Sequence, residues 1–527
     1  MNSAVKMLEK TAARFPERVA VQEEGGELTF SGLREIGMSI ASALIRLEND
    51  LDGQVSTNPK FTQQPIVVYM RKSIAALTVY TGAMYAGHPY VPVDFDMPVS
   101  RLQNIVGNIK TGFIFALESD VQRLAGLDPF GMKIVSYESL LAGQPDEKAI
   151  AARLDKIIDT DPIYIMFTSG STGVPKGVTI PHRGIIDYAY WLNDTFDFDE
   201  NTVLGNQAAF YFDNSTFDIF SMFYRGAKMV IIPEVLFRFP PKIPDYINEC
   251  GINTIFWVPT VMIAVANSGV LESCQMPDLK KVLFCGEVMP NKQLNIWRKN
   301  FPDLLYANLY GPTEITDVCT YYVVDREFAD DETLPIGRAC RNMRAIVLKN
   351  NSLTSDINPQ LIETKPGETG ELCILGSALA RGYWNAAEIT RKAFTQNPLC
   401  TAYDDRMYHT GDLAYISEEG LIYYVGRLDS QIKLHGHRIE LGEIETAAKA
   451  MENVENACVI FNAEAQEIVL FLQSKAEITL HTVKKQLLKK VPKYMIPSRL
   501  TVMEHLPQTP NGKIDRVFLM KYASAVN

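Results

Sequence analysis

The chain has 527 residues, room for about three to four folding units of about 150 residues each. Its 47% hydrophobic and 21% charged residues form an ordinary globular mixture, which excludes an unfolded chain, a collagen-like fibre or a small disulfide scaffold. Lys and Arg number 51 against 62 Asp and Glu, a formal charge of −11, which argues against a general nucleic-acid binder but leaves room for one nucleotide in a local cleft.

The eight cysteines show neither a CxxC pair nor a zinc-type Cys/His spacing, and most of them read as small buried hydrophobes of a reducing compartment. The start, MNSAVKMLEKTAARFPER, carries charges throughout, unlike a secretory leader. No run of 18 apolar residues occurs, so no membrane span is expected, and the cytoplasm is the expected location.

Taken in chain order, PIVVYM (65–70) is a short apolar run of the kind that forms a buried strand. Ser73 follows as an N-cap, with Ile74, Leu77 and Met84 at helical spacing. Further strands are predicted at 113–117, 228–233, 254–259 and 280–286, each separated by enough chain for a crossover helix. The fold class is therefore α/β, a large N-terminal body of mixed and parallel sheets with flanking helices. From Gly426 the texture changes to the charged, turn-rich GRLDSQIKLHGHRIE. The tail predicts helices at 441–452 and 481–490 and strands at 457–463, 468–474 and 498–504. The expected plan is a body over 1–426, a hinge over 427–430 and a small mobile α+β lid over 431–527.

The most informative stretch is YIMFTSGSTGVPKGV (164–178), a strand running into a loop with Thr168, Ser169, Gly170, Ser171, Thr172, Gly173 and Lys176. Glycines let backbone approach an anion, amides and hydroxyls donate to it, and a lysine adds charge. This is the chemistry of a phosphate cradle. It is not a Walker A loop, because Lys176 is followed by Gly177 rather than Ser or Thr. A flexible Ser/Gly linker would have no reason to follow a buried strand.

TSGSTGVPKG resembles the phosphate loop of the adenylate-forming superfamily of acyl-CoA synthetases, luciferases and nonribosomal-peptide adenylation domains. Further similar stretches follow in the expected order: YGPTE (310–314), GELCILGSALARGYW (370–384), YHTGDLA (408–414), GRLDSQIKLHGHRIELGEIE (426–445) and NGKIDR (511–516). The resemblance runs over essentially the whole chain. It implies activation of a carboxylate by ATP with Mg²⁺, then transfer of the acyl group to a thiol.

The resemblance also implies roles. Lys513 takes the place of the catalytic lysine, whose ammonium neutralises charge between the attacking carboxylate and the α-phosphate. Glu314 and Thr172 take the places of metal ligands, since Mg²⁺ favours carboxylate and phosphate oxygens. Asn308, Tyr310, Gly311 and Thr313 would meet the base and phosphates. Asp412 would grip the ribose hydroxyls, with Arg427 beside it. Asp429 stands at the family's hinge, and Lys433 and Gly436 would line the thiol channel after rotation of the lid.

YFDNSTFDIF (211–220) resembles the motif of amino-acid-activating members, in which Asp213 pairs with the substrate ammonium. The corresponding pocket positions are Asn214, Phe217, Phe256, Leu283, Cys285, Gly286, Leu309, Asp317 and Val318. LFCGEVMPNK and YMIPSRL resemble D-alanine–carrier-protein ligases in particular. Against that assignment, Phe217 and Phe256 are bulky, and Asp317 adds a carboxylate that either meets a second donor on the substrate or turns into a hydrogen-bonded shell.

The leading expectation is amino-acid adenylation and transfer to the phosphopantetheine of a carrier protein in trans, in nonribosomal-peptide or natural-product assembly. D-alanine–carrier-protein ligation is the first alternative, an acyl- or aryl-CoA synthetase the second, and a non-catalytic binding module the third. Asp213 speaks against the CoA synthetase. Retention of Lys176, Glu314, Asp412 and Lys513 speaks against a silent module.

Overall fold

Continuous apolar runs form strands buried on both faces, the environment of a parallel sheet. In the computed structural model such strands occupy Ile66–Val68, Phe113–Ala116, Lys228–Ile231, Thr254–Trp257 and Lys281–Cys285. The structure describes residues 1–49, 63–110, 112–126, 132–170, 174–350, 361–428, 431–463, 465–507 and 514–525. The chain divides into two compact units: Met1–Asp94, Ile109–Met166 and Gly177–Leu428 form one, and Phe95–Asn108, Phe167–Lys176 and Asp429–Asn527 the other.

The first unit holds a nine-stranded sheet whose centre runs, in spatial order, Leu305–Tyr310, Lys281–Cys285, Thr254–Trp257, Val203–Asn206, Lys228–Ile231 and Val19–Glu23, all parallel. Side-chain alternation gives this sheet two cores. Phe256, Leu283, Cys285 and Leu309 join one, while Ile255, Trp257, Val282 and Phe284 join the other. A seven-stranded sheet includes Ile66–Val68 and the strand Pro162–Thr168 that leads into the glycine-rich loop. Ser73 caps the helix Ile74–Ala86, its hydroxyl accepting the Ala76 amide at 3.2 Å.

A six-stranded sheet completes the unit, with Met343–Asn350, Gly370–Gly376, Arg406–Ile416 and Ile422–Arg427 paired antiparallel. The sequence reading predicts no strand between 287 and 425. Half-buried antiparallel strands such as RMYHTGDLAYI mix polar and apolar residues and lack the continuous apolar run.

In the second unit, strands Asn456–Asn462, Glu467–Gln473 and Arg499–Met503 form a sheet beside helices Leu441–Lys449, Leu480–Leu487 and Arg516–Ala525. Residues 95–108 and 167–176, read from the sequence as part of the large body, join this unit. Arg101 forms a buried ion pair with Glu443, and the Ser100 hydroxyl donates to the Lys489 carbonyl at 3.0 Å. Such pairings lie hundreds of residues apart and leave no local pattern. No helix among the described residues is long and apolar enough to cross a membrane.

Two buried histidines give the fold an acid limit. His182 accepts the Ala4 amide at Nδ1, and burial pulls its pKa down to about 3. His437 stacks on Tyr494 at 3.7 Å, and burial, reinforced by His435, pulls its pKa to about 4. Both rings stay neutral in the fold while the unfolded chain binds protons below the ordinary value of 6.5. Stability is therefore expected to fall as pH drops from 6.5 towards about 4. Thermal midpoints across that range should fall less steeply for His182→Gln than for the parent, and parallel profiles would refute the assignment.

Candidate active site

Open α/β sheets present their ligand sites at the carboxyl ends of the strands. Here the register Phe256↔Leu283 and Cys285↔Leu309 brings four of the expected pocket positions onto one face, close to those ends. All four are buried. Phe217, on the helix Ser215–Arg225, stacks against Phe256 with ring centroids 4.1 Å apart and planes 17° from parallel. Phe198 packs edge-on to Phe217 at 5.8 Å. Val318 is buried just before the strand Thr320–Val323. Gly286 follows Cys285 at φ +103°.

Asp213 precedes the same helix. Its carbonyl accepts the Thr216 amide at 2.8 Å and the Thr216 hydroxyl at 2.6 Å, which fixes the turn. Its carboxylate accepts the Asn214 amide at 3.1 Å and is half-buried. The Asn214 side-chain Nδ2 is buried without a hydrogen-bond partner, a donor in need of an acceptor.

Asp317 is fully buried and accepts the Tyr188 hydroxyl at 2.6 Å. Its place depends on a tight return of the chain after YGPTE. Thr316 and Asp317 adopt φ of +62° and +72°, and the Thr316 hydroxyl donates to the Ala378 carbonyl at 2.7 Å. A Cβ on Gly311 would sit 2.1 Å from the Asp317 carbonyl oxygen, so only glycine fits beneath the loop. Burial lifts the Tyr164 phenol well above its usual range, with Tyr90, Asp213 and Asp317 adding to the effect. Both carboxylates thus act on one buried, neutral tyrosine.

A second cluster joins residues from distant motifs. Asp412 accepts Arg427 Nη1 at 2.7 Å and the Tyr310 hydroxyl, and its own amide donates to the Thr410 hydroxyl at 3.0 Å. Burial, then the neighbouring Asp412, raises the Tyr310 phenol well above its ordinary range and keeps it a donor. Asn308 donates from Nδ2 to the Pro335 carbonyl at 2.9 Å. Glu314 is fully buried beside half-buried Thr313, and accepts the Tyr383 hydroxyl at 2.7 Å.

The second unit holds the described ends of the glycine-rich loop. A Cβ on Gly170 would come 2.1 Å from the Val174 carbonyl oxygen, an approach that only glycine permits at position 170. The Ser169 hydroxyl donates to the Arg438 carbonyl at 2.8 Å, the Thr168 hydroxyl is buried without a partner, and Lys176 is half-buried. Lys433 and Gly436 lie on a hairpin of Gln431–Leu434 and His437–Glu440, turned by His435 and Gly436 at φ +53° and +78°. Ser171, Thr172, Gly173, Asp429 and Lys513 lie outside the described residues.

Sequence reasoning missed Tyr188 and Tyr383. Tyr383 lies in the quoted ARGYW stretch, but Tyr188 sits in a helix with no motif of its own.

Against known families, residues 8–384 match the AMP-binding enzyme family and residues 443–513 match the AMP-binding enzyme C-terminal domain. The chain belongs to the AMP-binding enzyme family. This AMP-binding enzyme is 31% identical over 532 residues to a D-alanine–D-alanyl carrier protein ligase of Bacillus cereus (strain B4264), covering 99% of each chain. Its fold is that of the Vibrio cholerae adenylation domain AlmE, solved with glycyl-adenosine-5'-phosphate (TM-score 0.82, 21% identity, 100% and 98% of the two chains). It is also that of holo-PA1221, an NRPS protein containing adenylation and PCP domains (TM-score 0.80, 22% identity, 99% and 84%). The relatives favour the D-alanine alternative over the natural-product reading that led the sequence analysis.

Proposed function

We propose that this AMP-binding enzyme adenylates a small amino acid, D-alanine, and passes it to the phosphopantetheine thiol of a separate carrier protein. In the first step a carboxylate oxygen attacks the α-phosphorus of ATP and pyrophosphate leaves. In the second, the thiolate attacks the carbonyl carbon, forming the thioester as AMP leaves. Bringing two anions together makes charge neutralisation and alignment the main catalytic tasks.

The observation that carries the reading is the stacked, fully buried Phe217–Phe256 pair, whose geometry turns the bulk that counted against D-alanine into an argument for a small side chain. Rings packed on each other fill the volume a long side chain would need. Asp317 no longer counts against D-alanine, because Tyr188 gives that carboxylate a donor without any help from substrate. The full-length relationship to a D-alanine–D-alanyl carrier protein ligase points the same way.

Within this reading Asp213 pairs with the substrate ammonium, a role with no counterpart in activation of a simple acyl group. Asn214 Nδ2 is a donor for a substrate oxygen, and the orphaned Thr168 hydroxyl is a donor for a phosphate oxygen. Asp412, Arg427 and Tyr310 hold the ribose and base. Buried Glu314 offers the hard oxygen chemistry that Mg²⁺ prefers, and the ion would supply positive charge near the phosphates. Lys513 and Lys176 would supply the remaining cations, with Thr172 as a further oxygen donor and Asp429 as the pivot between the two steps.

Amino-acid-dependent exchange of labelled pyrophosphate into ATP tests the proposal. D-alanine should give the strongest signal of a panel that also holds glycine, L-alanine, diamino acids and hydroxy acids. A dominant diamino- or hydroxy-acid signal would overturn D-alanine and return Asp317 to the role of selector. Thioester formation on coenzyme A with no amino-acid dependence would overturn the whole reading.

A further inference from the structure

Strand pairing assembles a second cluster of chemical side chains in the six-stranded sheet, from positions of the GELCILG and YHTGDLA stretches that the proposed reaction does not use. Glu371 and Cys373 stand two residues apart on Gly370–Gly376, and Cys373 is the cross-strand partner of His409 on Arg406–Ile416. His409 Nδ1 lies 2.9 Å from Glu371 Oε2 and 3.6 Å from Cys373 Sγ. One ligand atom from each residue falls within 4.8 Å of the other two.

These separations can be compared with a tetrahedral zinc centre. Zn–S near 2.3 Å and Zn–N near 2.05 Å place sulfur and nitrogen about 3.5 Å apart, and nitrogen and carboxylate oxygen about 3.4 Å apart. The observed 3.6 Å matches the first, and the 2.9 Å contact needs to open by about half an ångström for the second.

The surroundings match as well. His409 Nε2 is 2.9 Å from the Thr395 hydroxyl, the kind of outer partner that orients a ligating imidazole. Glu371 Oε1 is held by the Gly411 amide at 3.1 Å, which leaves Oε2 facing the imidazole. Cys373 is fully buried among Ile346, Leu348, Leu375 and Met407, while the His409 and Glu371 side chains are 19% and 20% exposed. A cation could enter from the polar side and keep a water as its fourth ligand.

We propose that Glu371, Cys373 and His409 form a Zn²⁺ site with one water-filled position. A thiolate, an imidazole and a carboxylate suit zinc and not magnesium, so this site is chemically separate from the Glu314 region. Because Glu371 also holds Gly411, between Thr410 and Asp412, occupancy would brace the strand that presents the Asp412 cluster.

The test is Co²⁺ added to the full-length protein as a spectroscopic stand-in. The expected result is a sulfur-to-cobalt charge-transfer band with the visible bands of a four-coordinate ion, both displaced by Zn²⁺. Cys373→Ser should abolish the charge-transfer band, and His409→Gln should weaken binding at least tenfold. A thermal midpoint that rises with Zn²⁺ in the parent and not in His409→Gln gives a second readout. Absence of the band in the parent, or its persistence in Cys373→Ser, would overturn the site.

Discussion

Asp213→Ala is expected to lower kcat/KM for the amino acid by a factor of about 30 to several thousand, with the loss mainly in KM. The estimate follows from the about 2–5 kcal/mol lost when one partner of a desolvated charge pair is removed. The ammonium of the substrate would enter a pocket that holds Tyr164 and Phe217 and lose the Asp213 carboxylate, leaving only Asp317, which is already bonded to Tyr188. The turn itself should survive, because Thr216 is held by the Asp213 main-chain carbonyl and not by the side chain. ATP binding measured without amino acid should therefore be unchanged. Steady-state exchange kinetics across amino-acid concentrations provide the check, and an unaltered KM would refute the ammonium contact.

Lys513→Ala should cost more in the chemical step than in binding. Removing one donor aimed at developing transition-state charge lowers kcat about 10²- to 10³-fold, and an ammonium between two anions belongs at the upper end. Nucleotide affinity, measured directly by calorimetry, should change little. The thioester half-reaction gives a sharper discrimination. Supplied with preformed aminoacyl-adenylate, the variant should still load the carrier protein, because in the proposed mechanism the lysine serves only the first step. Full retained pyrophosphate exchange would sink the role, and equal loss of both half-reactions would point to misfolding of the lid instead.

Much of the site is legible from residues alone because its chemistry is local. A glycine-rich loop after a strand, an aspartate after an aromatic, and a TGD triplet each carry their meaning within about ten residues. Tyr310, Asp412 and Arg427, assigned to one nucleotide from separate motifs, do meet in space. The Phe217–Phe256 pair was legible as bulk but not as a stack, since its geometry depends on how a helix seats over a strand. Tyr188 was not legible at all. It reaches Asp317 across 129 residues, and only a loop bent through two left-handed residues brings the carboxylate to it.

The sequence by itself determined the fold class, the order of the strands and helices in the apolar regions, and the kind of reaction. Those depend on hydrophobic periodicity and on residue types that chemistry requires at fixed spacing. Tertiary structure alone decided that Asp317 is satisfied from within the protein and that 95–108 and 167–176 join the C-terminal unit. It alone also joined Glu371, Cys373 and His409 into one cluster. The physical reason is common to all three. Each depends on side chains brought together by strand register, loop curvature or helix packing, and these long-range pairings have no period in the chain.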